Sequence, residues 1–233
     1  MLAVFKREFK SYFSTPIGYI VLAAFYFFLG IYFSITYSYG STDMTTIITS
    51  MSNIIIFVLP VLTMRLMSED RRQKVDQVLI TSPVKLTSIV YGKFLAAMAV
   101  FVLGFAPTII FQFIIMSYVS VNITGYLYAL LGMFLLGGTL IAIGMFISSL
   151  TESTVISAIL TLVINILILY FSSLGSLVKN ETVVKIIEKF AFINIFNNFG
   201  TNIFSVADII YFLSFIVVFI FLCVRSLEKR RWS

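Results

Sequence analysis

Long apolar stretches alternate along this chain with short polar ones, and six of the apolar stretches reach the ~20 residues that a membrane-spanning helix needs. The predicted spans run over about Ile17–Tyr39, Ile47–Met67, Phe94–Tyr118, Gly125–Leu150, Thr154–Phe171 and Val206–Val224. The second is interrupted by Pro60, which predicts a kink, and the third contains Pro107. The pattern therefore predicts an all-α, polytopic membrane protein with one transmembrane domain over residues 1–233.

The first sixteen residues precede these spans and have a different periodicity. Their apolar side chains recur on one helical face: Leu2, Phe5, Phe9, Tyr12 and Phe13. Their charged side chains fall largely on the other face: Lys6, Arg7, Glu8 and Lys10. This pattern predicts an interfacial helix over residues 1–16 that lies along the membrane surface and ends at Pro16. A disordered basic tail is the alternative.

A charged island, Met67–Lys93, separates the second and third spans. With Arg65 it holds nine charged residues: Arg65, Glu69, Asp70, Arg71, Arg72, Lys74, Asp76, Lys85 and Lys93. Its size places it outside the bilayer, and its excess of Lys and Arg predicts the cytoplasmic side. A short amphipathic helix is predicted over Glu69–Ile80, with a break at Thr81-Ser82-Pro83 and a second helix from Pro83. The island is interpreted either as a lever to a soluble partner or as a solvated loop.

A second polar region, Ser172–Ser205, separates the fifth and sixth spans. Its first part has an apolar face opposite charged residues, with Glu181 and Lys185 at helical ion-pair spacing. Phe190–Gly200 follows and is too short to span. It is interpreted as a re-entrant pair of helices or as an amphipathic cap on the outer surface.

Composition supports this class of protein. The chain is 60% hydrophobic and 11% charged, against about 25% charged residues in soluble domains. Of the 16 Lys and Arg residues, only Lys179, Lys185 and Lys189 fall in segments assigned to the outside. This distribution predicts that both termini are cytoplasmic, in the inner (plasma) membrane. The net charge of +6 is attributed to topology and anionic lipid, with no nucleic acid partner.

The residue types exclude most catalytic chemistry. Histidine is absent, which removes the commonest general base and metal ligand. The Gly92-Lys93 pair lacks the earlier glycine of a phosphate-binding loop. The spans also lack the buried acidic residues typical of ion-coupled carriers. We therefore expect no catalytic site, metal or cofactor in this chain, and an energy source outside it.

Three amides are the deepest polar groups in the predicted spans: Asn53, Gln112 and Asn165. Side chains of this type inside a membrane line a substrate path or form hydrogen bonds between helices. The sequence is compatible with either role for these three amides.

Several short sequences, spread over nearly the whole chain, resemble one family. They are Phe5-Lys-Arg-Glu-Phe-Lys-Ser-Tyr-Phe-Ser-Thr-Pro-Ile-Gly-Tyr19, Met67-Ser-Glu-Asp-Arg-Arg72, Leu79-Ile-Thr-Ser-Pro-Val84, Ile89-Val-Tyr-Gly-Lys-Phe-Leu-Ala96, Phe199-Gly200 and Asp208-Ile-Ile-Tyr-Phe-Leu-Ser214. The chain resembles the permease subunit of type-2 ABC exporters, nearest the gliding-motility and nitrous-oxide-reductase-maturation branch. It departs from that branch at Asn197–Asn202, where relatives often carry a histidine and a basic residue.

The resemblance implies a mechanism. Two permease chains, identical or related, would form the path, and each would dock a separate ATPase subunit that holds ATP and magnesium. Met67–Lys93 would be the coupling region, and Ser172–Ser205 the external re-entrant helices. The implied ATPase-coupling residues are Glu69, Asp70, Arg71, Arg72, Gln73, Thr81, Ser82 and Pro83. A membrane anchor that transports nothing is the alternative function, and an intramembrane enzyme is the least favoured.

Overall fold

The computed structural model describes residues 1–73, 85–119, 122–171, 191–201 and 205–231. Within these ranges all regular structure is helical, which confirms the predicted all-α class. The helices are α1 Leu2–Ser14, α2 Pro16–Ser38, α3 Met44–Ser50, α4 Ser52–Thr63, α5 Ser68–Arg72, α6 Leu86–Gly104, α7 Ala106–Met116, α8 Ile123–Leu150, α9 Thr154–Leu169, α10 Phe192–Gly200 and α11 Val206–Arg231.

Five helical segments in the described ranges are long and apolar enough to cross a membrane. They are Pro16–Ser38, Ser52–Arg72, Leu86–Met116, Ile123–Leu150 and Val206–Lys229. The predicted fifth span is α9, an apolar helix of 16 residues. At about 1.5 Å per residue it extends ~24 Å, less than a hydrocarbon core of ~30 Å. The multi-pass helical architecture is confirmed, whereas the count of six spans is not.

The second predicted span has an interruption that the sequence did not predict. It falls at Met51, between α3 and α4, whereas α4 continues through Pro60, where the kink stays a prediction. The hydroxyls of Thr49 and Ser50 bond back to carbonyls one turn earlier in α3, and such bonds compete with the backbone ladder at a helix end.

The third span also begins and divides differently. The helix predicted from Pro83 is described from Leu86, and the apolar span within it begins there rather than at Phe94, so Lys93 lies two turns inside α6. The segment is interrupted at Phe105, and Pro107 lies in the first turn of α7, where its missing N–H has no partner to lose.

Helix α8 is the centre of the bundle and contacts α3, α4, α6, α9, α10 and α11. Its glycines permit these close approaches. A Cβ on Gly132 would lie 2.7 Å from the side chain of Phe199 in α10, and one on Gly137 would lie 2.2 Å from the Phe101 ring in α6. Small residues at helix interfaces are typical of membrane bundles, where close backbone packing provides the attraction.

Contacts along α8 establish which ends of the helices lie together. Thr139 of α8 bonds to the Phe212 carbonyl of α11, and Phe146 packs on Phe219 one to two turns further along both helices. α8 and α11 are therefore parallel, and their last turns lie at the same end. The Ser148 hydroxyl near the end of α8 donates to the Met64 carbonyl just after α4, and the Tyr12 hydroxyl of α1 donates to the Leu62 carbonyl near the end of α4. These two bonds place α1 at that end too.

The opposite end is covered by α10. Phe192, Phe196 and Phe199 lie on its buried face, against α8, α3 and the first turns of α11. Asn198 donates to the Asp208 carboxylate at 3.0 Å, which joins α10 to α11. Residues 172–190 and 202–204 of the predicted external region lie outside the described residues.

Candidate coupling site at the charged end of the bundle

The predicted coupling residues fall on α5 and the residue after it. Glu69, Asp70 and Arg71 are half-buried, with 20–26% of each side chain exposed. Arg72 and Gln73 are exposed. The other three, Thr81, Ser82 and Pro83, lie outside the described residues. α5 thus presents one face to the bundle and the other to solvent.

Lys93 anchors the buried face. Its side chain is 1% exposed. The Nζ atom lies 2.8 Å from Asp70 Oδ2, 3.2 Å from Glu8 Oε1 and 2.6 Å from the Leu66 carbonyl oxygen. An ammonium has three N–H donors, so every one of them has an acceptor. The lysine thereby joins α1, the α4–α5 turn, α5 and α6 at one point.

The charge of this group is balanced at its outer edge. Arg7 Nη2 lies 2.6 Å from Glu8 Oε1, the same oxygen that accepts from Lys93. Two cations and two carboxylates therefore form one continuous row of ion pairs: Arg7, Glu8, Lys93 and Asp70. Because a buried charge is costly unless it is paired and hydrogen-bonded, this balance makes the burial of Lys93 possible.

A second ion pair joins Glu69 of α5 to Arg65 in the α4–α5 turn. Arg65 donates from Nε to Glu69 and from Nη1 to the Thr15 hydroxyl at 2.8 Å. Thr15 separates α1 from α2. Gln73 donates to the other Glu69 oxygen at 3.3 Å. The start of α5 is therefore fixed to the α1–α2 junction.

Arg71 makes the third link, to the turn between α8 and α9. Its Nη1 donates to the Leu150 carbonyl at 2.8 Å, and its Nη2 lies 2.9 Å from Glu152 Oε1. Leu150 is the last residue of α8, so its carbonyl has no partner within the helix. A cation at this position is also favoured by the helix dipole.

Free carbonyls at the end of α4 are satisfied in the same manner. Leu62 accepts from Tyr12 Oη at 2.9 Å, and Met64 accepts from Ser148 Oγ at 3.0 Å. Ser148 Oγ also accepts from the backbone N–H groups of Met67 and Ser68. Burial, and secondarily the Glu8 carboxylate, raises the pKa of the Tyr12 phenol, which keeps this donor protonated.

These bonds make α5 a junction between four parts of the bundle: α1, the α4–α5 turn, α6 and the α8–α9 turn. A cleft of about 250 Å³ lies beside it, lined by Arg7, Glu8, Ser11, Tyr12, Arg65, Leu66, Glu69, Asp70 and Gln73. A force applied to the exposed face of α5 would reach all four parts through ion pairs and hydrogen bonds.

Sequence reasoning missed several members of this junction. Lys93 was assigned to the charged island and Glu8 to the charged face of the first helix, with no partner predicted for either. One signal was available: Glu8 is the only acidic residue among the basic ones of α1. Its partner lies 85 positions later in the chain, and only the folded topology brings the two together.

The three amides predicted as a possible substrate path lie in different surroundings. Asn53 is exposed, and its Oδ1 accepts from Tyr170 Oη at 3.1 Å, a bond between α4 and the end of α9. Gln112 is buried in α7, whose Phe111 packs on Phe33 of α2. Asn165 is buried in α9. Asn53 and Asn165 thus belong to adjoining helices, and Gln112 lies elsewhere.

Asn165 ends a buried polar row on α9. Ser157, Thr161 and Asn165 recur one turn apart, each 0% exposed. Their polar side-chain atoms have no hydrogen-bond partner within the described residues, and the same is true of both amide atoms of Gln112. A Cβ on Gly144 of α8 would meet Thr63 Oγ1 at 2.4 Å and Thr161 Cγ2 at 3.0 Å. The unpaired row is therefore sealed where α4, α8 and α9 meet.

The family model of the ABC-2 type transporter matches residues 1–179, a range that contains α1 to α9 and the whole junction around α5. No curated protein matches the chain significantly.

Proposed function

Because the chain belongs to the ABC-2 type transporter family and is thus the transmembrane part of an ABC transporter, we propose that it serves an ATP-driven exporter. In this proposal two permease chains, identical or related, form the translocation path. Each docks a separate ATPase subunit, which binds ATP and magnesium and performs the hydrolysis, so this chain is not itself an enzyme.

The junction around α5 is the observation that carries the proposal. An ATPase that moves during its cycle needs a point of attachment from which motion spreads through the membrane helices. α5 and the residue after it combine an exposed face, Arg72 and Gln73, with a buried face that is bonded to α6 and the α8–α9 turn and is joined to α1 through Lys93. A solvated loop between two spans would need none of these bonds.

The proposed motion acts on the interface between α4 and α9. α4 leads directly into the α5 junction, and Arg71 of α5 holds the turn from which α9 begins. Displacement of α5 would therefore shift both helices. Separation of α4 from α9 would expose the row Ser157, Thr161 and Asn165, which offers hydroxyl and amide groups to a polar substrate. Gln112 lies away from this interface and is assigned to packing.

The orientation belongs to the same proposal. The α5 junction would lie on the cytoplasmic side of the inner (plasma) membrane, where the ATPase binds. α1 and the last turn of α11 share that end of the bundle, in agreement with two cytoplasmic termini. The gliding-motility and nitrous-oxide-reductase-maturation branch is proposed as the nearest relative on the quoted sequence motifs alone.

Co-purification of the full-length chain from its native membrane tests the proposal. We expect an ABC ATPase at one-to-one stoichiometry, identified by mass. Arg72→Glu should reduce the recovered ATPase roughly tenfold or more, as expected of a central interface arginine. Arg72 has no ion pair within the described residues, so this change leaves the junction intact. Reversal of Asp70 or Arg71 would break internal ion pairs and confuse lost docking with lost folding.

Lys229→Glu is the matched control. Lys229 is an exposed cation at the same end of the bundle, on α11 rather than α5. It should leave ATPase recovery unchanged. Equal recovery with Arg72→Glu and with the parent chain would contradict the role of α5. A chain that purifies without any ATPase would favour the membrane-anchor function instead.

A further inference from the structure

A nearly apolar groove lies between α1 and α6, on the side of α1 that faces away from α5. Its volume is about 590 Å³. One wall is the row Leu2, Phe5 and Phe9 of α1, and the other includes Leu95, Val102 and Leu103 of α6. The α6 residues are 37–40% exposed. They belong to a membrane span, so the groove opens toward the lipid.

The groove has a definite structural cause. α1 approaches α6 closely at Gly92, where a Cβ would lie 3.0 Å from the Val4 side chain. The stacked rings of Phe5 and Phe9, with centroids 5.8 Å apart, then overhang the next turns of α6. From Leu95 to Leu103 the groove follows α6 for about 12 Å at ~1.5 Å per residue. That length is most of one leaflet of a hydrocarbon core ~30 Å thick.

One rim of the groove is basic. At 3.6 residues per turn, Lys6 and Lys10 lie on one flank of the row Leu2, Phe5 and Phe9, and Glu8 lies on the other flank. Both lysines are exposed, and neither has an ion pair within the described residues. Glu8 is already occupied by Lys93 and Arg7. The two lysines are thus available to an anion at the depth of the lipid headgroups.

We propose that this groove is a binding site for an anionic glycerophospholipid. One acyl chain lies along α6 beneath Phe5 and Phe9, and the headgroup phosphate is held by Lys6 and Lys10. Apolar shape alone would accept any lipid, and the basic rim selects the negative charge. The proposal goes beyond transport, since it depends only on α1 lying at the surface of the membrane.

Fluorescence quenching by brominated lipids tests the site in the full-length protein. Trp232 is the only tryptophan, so the Trp232→Phe variant has no tryptophan fluorescence of its own. Phe9→Trp places a reporter in the groove, and Leu2→Trp gives a second reporter at an exposed position if the first perturbs folding. Val217→Trp, on the exposed face of α11, reports general lipid contact. Each protein is reconstituted with dibrominated phosphatidylglycerol or dibrominated phosphatidylcholine.

The measured quantity is the ratio of quenching by dibrominated phosphatidylglycerol to quenching by dibrominated phosphatidylcholine. We expect this ratio to favour the anionic lipid at the groove reporter, on the order of fivefold for each lysine, and to be one at the α11 reporter. Lys6→Gln with Lys10→Gln should bring the ratio close to one. Ala99→Phe fills the groove but keeps both lysines, and it should reduce quenching by the anionic lipid. A ratio of one at the groove reporter, or the same preference at Val217→Trp, would overturn the proposal. A preference that survives Ala99→Phe unchanged would mean surface attraction alone and would overturn it too.

Discussion

Two buried polar regions of this bundle differ in how their groups are paired. At the end where α1, α5 and α6 meet, Lys93 has an acceptor for each of its three protons. Between α4, α8 and α9, the side chains of Ser157, Thr161 and Asn165 have no partner within the described residues. One region is completely bonded in this conformation, and the other contains groups that the conformation leaves unpaired.

The difference separates a structural region from one suited to change. Buried hydrogen bonds that are all made hold a single geometry, whereas an unpaired buried amide raises the free energy of the state in which it is buried. The charged end is therefore expected to move as a unit, and the row on α9 to be relieved when α4 and α9 separate. Removal of a polar group should accordingly have opposite effects on stability in the two regions.

The largest effect is expected at Lys93. Lys93→Met keeps an unbranched side chain but leaves Glu8 and Asp70 without their shared cation, which should lower the unfolding free energy by about 3–5 kcal/mol. Denaturant unfolding in detergent measures it. Lys10→Met is the control and should change stability by less than about 0.5 kcal/mol. Addition of Glu8→Gln and Asp70→Asn to Lys93→Met should restore part of the lost unfolding free energy. If Lys93→Met alone destabilises the protein no more than the control does, the role of Lys93 is contradicted.

A gain is expected at Asn165. Asn165→Leu has the same branched shape and removes two unpaired amide atoms, so it should raise the unfolding free energy by about 1–3 kcal/mol. The matched control is Asn53→Leu, in which the replaced amide is exposed and accepts from Tyr170. It should give no gain. Destabilisation by Asn165→Leu, measured by the same unfolding experiment, would show that the amide is paired and would remove the contrast between the two regions.

The smallest effect is expected at Tyr12, at the bonded end. Tyr12→Phe keeps the ring and removes the donor to the Leu62 carbonyl, at an expected cost of about 0.5–1.5 kcal/mol. Tyr19→Phe is a suitable control, because Tyr19 is 60% exposed. A stability gain from Tyr12→Phe would contradict the assignment of the hydroxyl as a needed donor.

The sequence predicted the helices well where local signals exist. Leu150 ends α8 and Val206 begins α11, as the hydropathy pattern predicted, and α2 begins at Pro16, one residue before the predicted Ile17. A helix was predicted from Pro83, but the span within it was predicted to begin only after Lys93, because that lysine was counted in the charged island. A hydropathy scale gives every lysine the same value, whether or not distant helices place carboxylates beside it.

The charged residues of α5 were named from the sequence as part of the candidate site, but their partners on other helices were not. The ion pairs of the junction include Lys93 with Glu8 and Arg71 with Glu152, across separations that no helical periodicity covers. The unpaired state of Asn165 was equally hidden. Whether a buried amide finds a partner depends on side chains of other helices, and the chain order does not reveal them.

The bond between Glu8 and Lys93 has a consequence for how the protein is made. Lys93 leaves the ribosome 85 residues after Glu8, and at ~5–20 residues per second this delay is on the order of ten seconds. Until then Glu8 has only Arg7 of its own helix as a cation, and α1 lacks the α6 surface on which it packs. During biogenesis the nascent amphipathic helix must remain on the membrane through its own aromatic face, and the translation of α6 sets the moment at which it docks.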